Sequence, residues 1–217
     1  MTSFSEFQEQ IAKVKKMELP GEEYHLKMAP LERILELKQL AKRKNSAKRA
    51  GVLALFYPDA TELTHFALIL RNTYPGVHSA QVGFPGGRLE PDDPDLEFTA
   101  LRETHEEVGV PKDRIEVIRA LTEIYIPPSN FLVSPFLGTT STTPSFVLDP
   151  KEVVQLIEVP LREFLMDSAL TEQTLSTSYA SRITVPAFHL QGHVVWGATA
   201  MMLNEIRELL RNLPQLR

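Results

Sequence analysis

Apolar residues recur along this chain with two periods, and the switches between them outline the elements. Residues 3–16 and 30–44 carry helical spacing, and in the second Leu31, Ile34, Leu35 and Leu37 form a stripe that suits a core contact. Alternating and β-branched runs predict strands at Gly51–Tyr57 and Thr64–Leu70, joined by a turn around Pro58-Asp59. Two further strands are expected at Ile115–Ile126 and Phe131–Leu137, separated by Pro127-Pro128-Ser129-Asn130 and followed by a threonine-rich loop over residues 139–143. Val153–Val159 predicts a strand and Pro160–Leu165 a short helix. Ile183–His189 and His193–Trp196 predict a hairpin turning at Gln191-Gly192, and Gly197–Arg211 an amphipathic closing helix. There is no internal repeat. Strands interleaved with helices predict an α+β architecture, with a helical N-terminal extension over residues 1–48 and one main domain over residues 49–217. The extension is expected to cover that domain or to form a homodimer contact.

The segment between the second and third strands carries the chemistry. Asp93 before Pro94 reads as an N-cap followed by proline at the first helical position, and Gly109 as the left-handed residue that ends the helix. Leu101, Thr104 and Val108 then face inward, while Glu103, Glu106 and Glu107 return to one outward side. Like charges at this spacing cost about 0.2–0.5 kcal/mol per pair, and the negative end of the helix dipole adds to the cost. A hard divalent cation with oxygen ligands relieves both penalties. Mg²⁺ suits such a set because it takes one or two carboxylates and leaves room for water and substrate phosphate, and Mn²⁺ accepts the same ligands. The glycine pair Gly86-Gly87, ahead of the helix, supplies a turn beside the carboxylates.

Together these residues resemble the Nudix box, G-x(5)-E-x(7)-R-E-U-x-E-E-x-G-U with U aliphatic. Gly87, Arg102, Glu103, Glu106, Glu107, Gly109 and Val110 occupy its places. The first acid is Asp93, one extra residue precedes Arg102, and Thr104 stands at an aliphatic place. Phe84-Pro85-Gly86-Gly87, the run Thr99–Glu103, Glu152-Val153 leading to Val159-Pro160-Leu161, and Trp196–Ala200 are similar to the coenzyme A diphosphatase branch of that family. So are the early Leu19–Glu22 and Lys27–Pro30 segments. The branch's upstream signature would put arginine at Gly76 and glycine at Ala80. Arg71 matches another of its arginines, whereas Asn72 replaces a small residue.

The resemblance implies a mixed β-sheet packed between helices in an α/β/α sandwich. It implies a metal-dependent hydrolase of a small-molecule diphosphate, with Glu103, Glu106 and Glu107 as ligands of Mg²⁺ or Mn²⁺. Arg102 would orient a glutamate by a charge-assisted hydrogen bond. A loop carboxylate outside the box would serve as general base, with Glu152 the first candidate and Glu123 the second. Substrate contacts would come from Gly86, Gly87, Arg88 and His78. Coenzyme A or an acyl derivative is the leading substrate. Another nucleoside diphosphate derivative is the alternative, and a non-catalytic binding module a third possibility that three retained glutamates argue against.

Composition narrows the setting. The formal charge of -5 and pI near 5.7 argue against a nucleic-acid partner. Of the one basic cluster, Lys42, Arg43, Lys44, Lys48 and Arg49, a solvated helix end is the simpler account, and the 3′-phosphate of a coenzyme A-like ligand the functional one. Zero cysteines exclude disulfides, thiolate metal sites and a cysteine nucleophile. The start carries Glu6, Glu9 and Lys13, and no apolar run approaches the roughly 20 residues of a membrane span, so a cytoplasmic protein with no membrane partner is expected. His105 reads as a partly exposed filler, and His189 and His193 straddle a turn rather than share a helical face as a zinc pair would.

Overall fold

The computed structural model describes residues 3–30, 34, 41–72, 81–177 and 180–213. In chain order the helices are α1 (Phe4–Val14), α2 (Glu22–Leu26), α3 (Leu96–Val108), α4 (Leu161–Leu165) and α5 (Gly197–Arg211). The strands are β1 (Lys48–Pro58), β2 (Thr64–Arg71), β3 (Val82–Gly83), β4 (Gly86–Arg88), β5 (Glu116–Ala120), β6 (Ile124–Ile126), β7 (Phe131–Thr139), β8 (Val153–Pro160), β9 (Leu170–Thr177), β10 (Ala180–Leu190) and β11 (His193–Val195).

Strand β1 is the axis of an eight-stranded mixed sheet. It runs parallel to β7 and antiparallel to β2 and β4; β8 and β3 extend the sheet from β2, and β5 and β6 pair with β7. Successive side chains of a strand point to opposite faces, and β1 is apolar on both. Leu53, Leu55 and Tyr57 pack on one face with Ala100 and Val108 of α3. Ala54 and Phe56 pack on the other with Phe4, Phe7, Ile11 and Val14 of α1 and with Leu203 and Ile206 of α5. The result is the expected mixed sheet between helices. Helix α1 covers the sheet from a capping box, in which the Ser3 hydroxyl accepts from Glu6 N and the Glu6 carboxylate accepts from Ser3 N.

Close approach between α3 and the sheet depends on one residue of β1. A Cβ on Gly51 would lie 2.3 Å from the Leu96 carbonyl oxygen, so only glycine there lets the first turn of α3 sit down on the strand. That contact places the later turns of the helix beside β4.

Several sequence expectations change in detail. The single strand expected over Ile115–Ile126 is broken into β5 and β6, because Thr122 leaves the ladder: its N–H and hydroxyl both turn to the buried carboxylate of Glu205, at 3.3 and 2.6 Å. The expected hairpin at Gln191-Gly192 is present, with both residues at positive φ (49° and 78°), as a tight two-residue turn requires. Strand β9 completes a three-stranded sheet with β10 and β11, and neither β9 nor the short α2 is announced by its apolar pattern. Of the helix expected over residues 30–44, residues 31–33 and 35–40 lie outside the described residues, and Ala41–Ser46 forms a 3₁₀ helix.

Candidate active site

Helix α3 begins two residues later than the proline pattern suggests. Asp95 is the N-cap, its carboxylate accepting from Phe98 N at 2.7 Å. Asp93 is not the cap because its carboxylate is already occupied, by Glu90 N, by the Thr99 hydroxyl and by Arg102. The far end is as expected: Gly109 has φ 77° and donates to His105 O at 2.9 Å.

Arg102 is the hub of the outer half of the site. Its guanidinium grips Asp93 with two bonds of 2.9 Å, Nε to Oδ1 and Nη2 to Oδ2, and Nη1 reaches both Glu103 and Glu106 at 2.9 Å. Nη2 also donates to Arg88 O at 3.2 Å, fastening the end of β4 to the helix. The Arg102 guanidinium holds Asp93 well below the usual carboxylate range, and Asp93 in turn pushes the arginine up.

Glu107 anchors the inner half. Its side chain is 1% exposed, which corrects the expectation that all three glutamates point outward. Burial is tolerated because each oxygen has a donor: Oε1 accepts from Arg71 Nη1 at 2.8 Å, and Oε2 from Gly86 N at 2.7 Å. Arg71 also donates to Gly86 O at 2.6 Å, so one guanidinium ties the helix to the start of β4; the glycine pair expected as a turn is strand, paired with Gly51 and Val52 of β1. Desolvation still dominates and pushes the Glu107 carboxyl up to about 7; Arg71 and the Gly86 N–H pull the other way, and the charges of Glu103 and Glu152 add to the rise. Burial also raises Glu103, against the pull of Arg102.

Glu152 comes to these two from outside the helix. The segment before it docks on the end of α3, with Val147 N donating to Val108 O at 3.0 Å and Asp149 N to Glu107 O at 3.1 Å. One carboxylate oxygen each of Glu103, Glu107 and Glu152 then lie within 4.8 Å of one another. Three convergent carboxylates, two of them with raised pKa values, form an oxygen set short of positive charge on its open side. That set fits a hard divalent cation.

The remaining candidates are distributed as follows. Glu106 lies on the same helix, but its side chain is 56% exposed and held by Arg102, outside the 4.8 Å group. Gly87 sits against Glu103, with no room for a Cβ between them. The Arg88 side chain is exposed, and its carbonyl serves Arg102. His78, Gly76 and Ala80 lie outside the described residues. Glu123 is engaged elsewhere, accepting from Arg49 at 2.5 Å and from the Ser134 hydroxyl at 2.7 Å, so Arg49 of the basic cluster is already paired. Among the described residues, His189 and His193 join no metal-type group. The partnership of Arg71 with Glu107 is the feature that sequence reasoning missed. The arginine was visible in the signature, but nothing in a linear pattern links the end of a strand to a helix 36 residues on.

A mixed sheet between helices, with a glycine pair at its edge and a helix whose carboxylates converge with one from a loop, is an arrangement suited to a divalent cation. Residues 47–177 match the NUDIX domain model, so the chain belongs to the Nudix family and is a Nudix hydrolase acting on diphosphate bonds. It is 33% identical over 131 residues to Uncharacterized Nudix hydrolase NudL of Photorhabdus laumondii, covering 60% of this chain and 69% of that protein. With Peroxisomal coenzyme A diphosphatase ndx-8 of Caenorhabditis elegans the identity is 28% over 174 residues, 79% of this chain and 73% of the relative. The crystal structure of a Nudix hydrolase from M. smegmatis, RenU, aligns with a TM-score of 0.53 at 14% identity, over 77% of this chain and 88% of that one, and shares the fold. Among the described residues no helix is long and apolar enough to cross a membrane.

Proposed function

We propose that this Nudix hydrolase cleaves the diphosphate of coenzyme A or an acyl derivative, giving adenosine 3′,5′-bisphosphate and (acyl)phosphopantetheine. The observation that carries the diphosphate chemistry is the group of Glu103, Glu107 and Glu152 against Gly86-Gly87 of β4. The finer choice of substrate rests on the likeness to a relative named a coenzyme A diphosphatase and on the branch motifs Phe84–Gly87 and Trp196–Ala200.

Each residue has a stated part in this proposal. Glu103, Glu106 and Glu107 would hold Mg²⁺ or Mn²⁺. The cation, when bound, draws charge from the diphosphate oxygens and makes water a better nucleophile. Arg102 orients Glu103 and Glu106, and Asp93 fixes Arg102. Gly86, Gly87, Arg88 and His78 are the proposed contacts of the diphosphate. Water attacks one phosphorus, the bridging P–O bond breaks, and the proton released by the water passes to Glu152, the general base.

Gly76 and Ala80, which depart from the branch signature, favour a second reading in which the same chemistry acts on a dinucleotide, ADP-ribose or a nucleotide sugar. The two separate in one experiment. Purified protein with Mg²⁺ or Mn²⁺ is incubated with coenzyme A, NADH, ADP-ribose and nucleoside triphosphates, and the products are resolved by mass. Adenosine 3′,5′-bisphosphate from coenzyme A, at a rate above turnover of the others, is the expected result. Faster turnover of another ligand would replace coenzyme A as the substrate.

A further inference from the structure

Glu152 is exposed, as are its neighbours Pro150 and Lys151. No buried side chain in residues 150–152 therefore fixes where its carboxylate stands, and the loop is held through its backbone. On one side Asp149 anchors it to α3: its N–H donates to Glu107 O, its carbonyl accepts from Glu152 N at 3.1 Å and Val153 N at 2.9 Å, and its carboxylate accepts from Lys151 N at 2.8 Å. On the other side one residue holds three successive carbonyls. Asn72 N donates to Glu152 O at 2.8 Å, and Asn72 Nδ2 donates to Lys151 O at 3.1 Å and to Pro150 O at 3.3 Å.

Asn72 directly follows Arg71, the partner of Glu107, where the pairing of β2 with β8 shifts register between Leu70 and Arg71. Bulges of this kind re-aim side chains beside active sites. At this one strand end, Arg71 grips the helix carboxylate Glu107 and Asn72 grips the loop that bears Glu152. A small residue at position 72 would keep only the bond from its backbone N–H. The two side-chain bonds exist because this chain carries asparagine there.

We infer that Asn72 is a positioning residue for the reaction, acting through Glu152 by clamping the carbonyls of residues 150–152; the inference rests on the role proposed for Glu152. Its removal leaves the reacting groups in place and loosens one of them. Partners that hold metal-site carboxylates are typically worth 10–100-fold in metal affinity or activity.

The test is a double-mutant cycle of Asn72→Ala and Glu152→Gln in the full-length protein, reading kcat, KM and Mn²⁺ affinity by direct titration of each variant, with thermal melting as a check on folding. Asn72→Ala is expected to lower kcat by about 10-fold, with KM and Mn²⁺ affinity nearly unchanged. In the Glu152→Gln background the same substitution is expected to do nothing further, because its effect passes through the missing carboxylate. Asn72→Asp, which keeps the size but turns an acceptor toward the carbonyls, is expected to be worse than alanine. A normal Asn72→Ala beside an impaired Glu152→Gln overturns this inference alone, as does an Asn72→Ala effect of the same size in both backgrounds. Wild-type turnover in Glu152→Gln would overturn the role of Glu152, and the inference with it.

Discussion

Replacing Glu107 by glutamine is expected to lower turnover by about 10³-fold, since a cation at a phosphoryl group supplies several kcal/mol and each tenfold in rate is about 1.4 kcal/mol. The fold should survive. Glutamine has the same shape, and its carbonyl can accept from Gly86 N, while Arg71 keeps its bond to Gly86 O. The substitution also removes a cost. With the Glu107 carboxyl raised from 4.5 to about 7 by burial, folding of the metal-free protein favours the neutral acid, so its contribution is best below pH 4.5 and is lost as pH climbs to about 7. The metal-free wild type should therefore lose melting temperature as pH rises through about 7, and that loss should shrink in Glu107→Gln. The same titration gives a second readout. A cation must displace the proton, so Mn²⁺ affinity of the wild type should rise as pH passes through about 7, and that rise should flatten in the variant. Wild-type turnover in Glu107→Gln would remove the residue from the ligand set.

Gly87→Ala should lose turnover by about 10²-fold, the scale on which a misplacement of 1 Å costs rate, without unfolding the protein. A Cβ at this residue would fall 2.3 Å from Glu103 Cδ and 2.4 and 2.5 Å from its two oxygens. The obstructed atoms are the end of a flexible side chain, so the strain is relieved by swinging Glu103 away from Glu107 and Glu152. Stability is then kept and the carboxylate group is broken. The prediction is checked by kcat, Mn²⁺ titration and melting of the purified variant. A wild-type kcat would show that the cluster does not depend on the approach of β4 to α3, and a collapse of the melting temperature would show that the glycine serves the fold instead.

What the sequence conveyed and what it withheld differ by the range of the interaction. Helix α3 and its glycine end are local, and spacing alone suffices for them, whereas the pairing of Arg102 with a glutamate was implied by the family resemblance. The two-residue hairpin turn between β10 and β11 is equally local. The break between β5 and β6 was hidden because it is caused by Glu205, 83 residues beyond Thr122. Glu107 looked like a surface residue because its donors, Arg71 and Gly86, come from two other strands, β2 and β4. Asp93 passed for an N-cap since its residue type and the following proline suit one, and only the folded chain reveals that Arg102 and Thr99 have claimed its oxygens. Glu152 could be nominated from the motif, but its approach to Glu103 and Glu107 depends on how the loop docks on the end of α3.

The account turns on where a divalent cation binds. Crystals of the protein soaked in Mn²⁺, measured at a wavelength that gives anomalous signal from the metal, answer this without reference to turnover or substrate. The predicted result is an anomalous peak coordinated by Glu103 and Glu107 on the side that Glu152 faces, lost in Glu107→Gln. A peak elsewhere on the molecule, with these carboxylates uncoordinated, would contradict it.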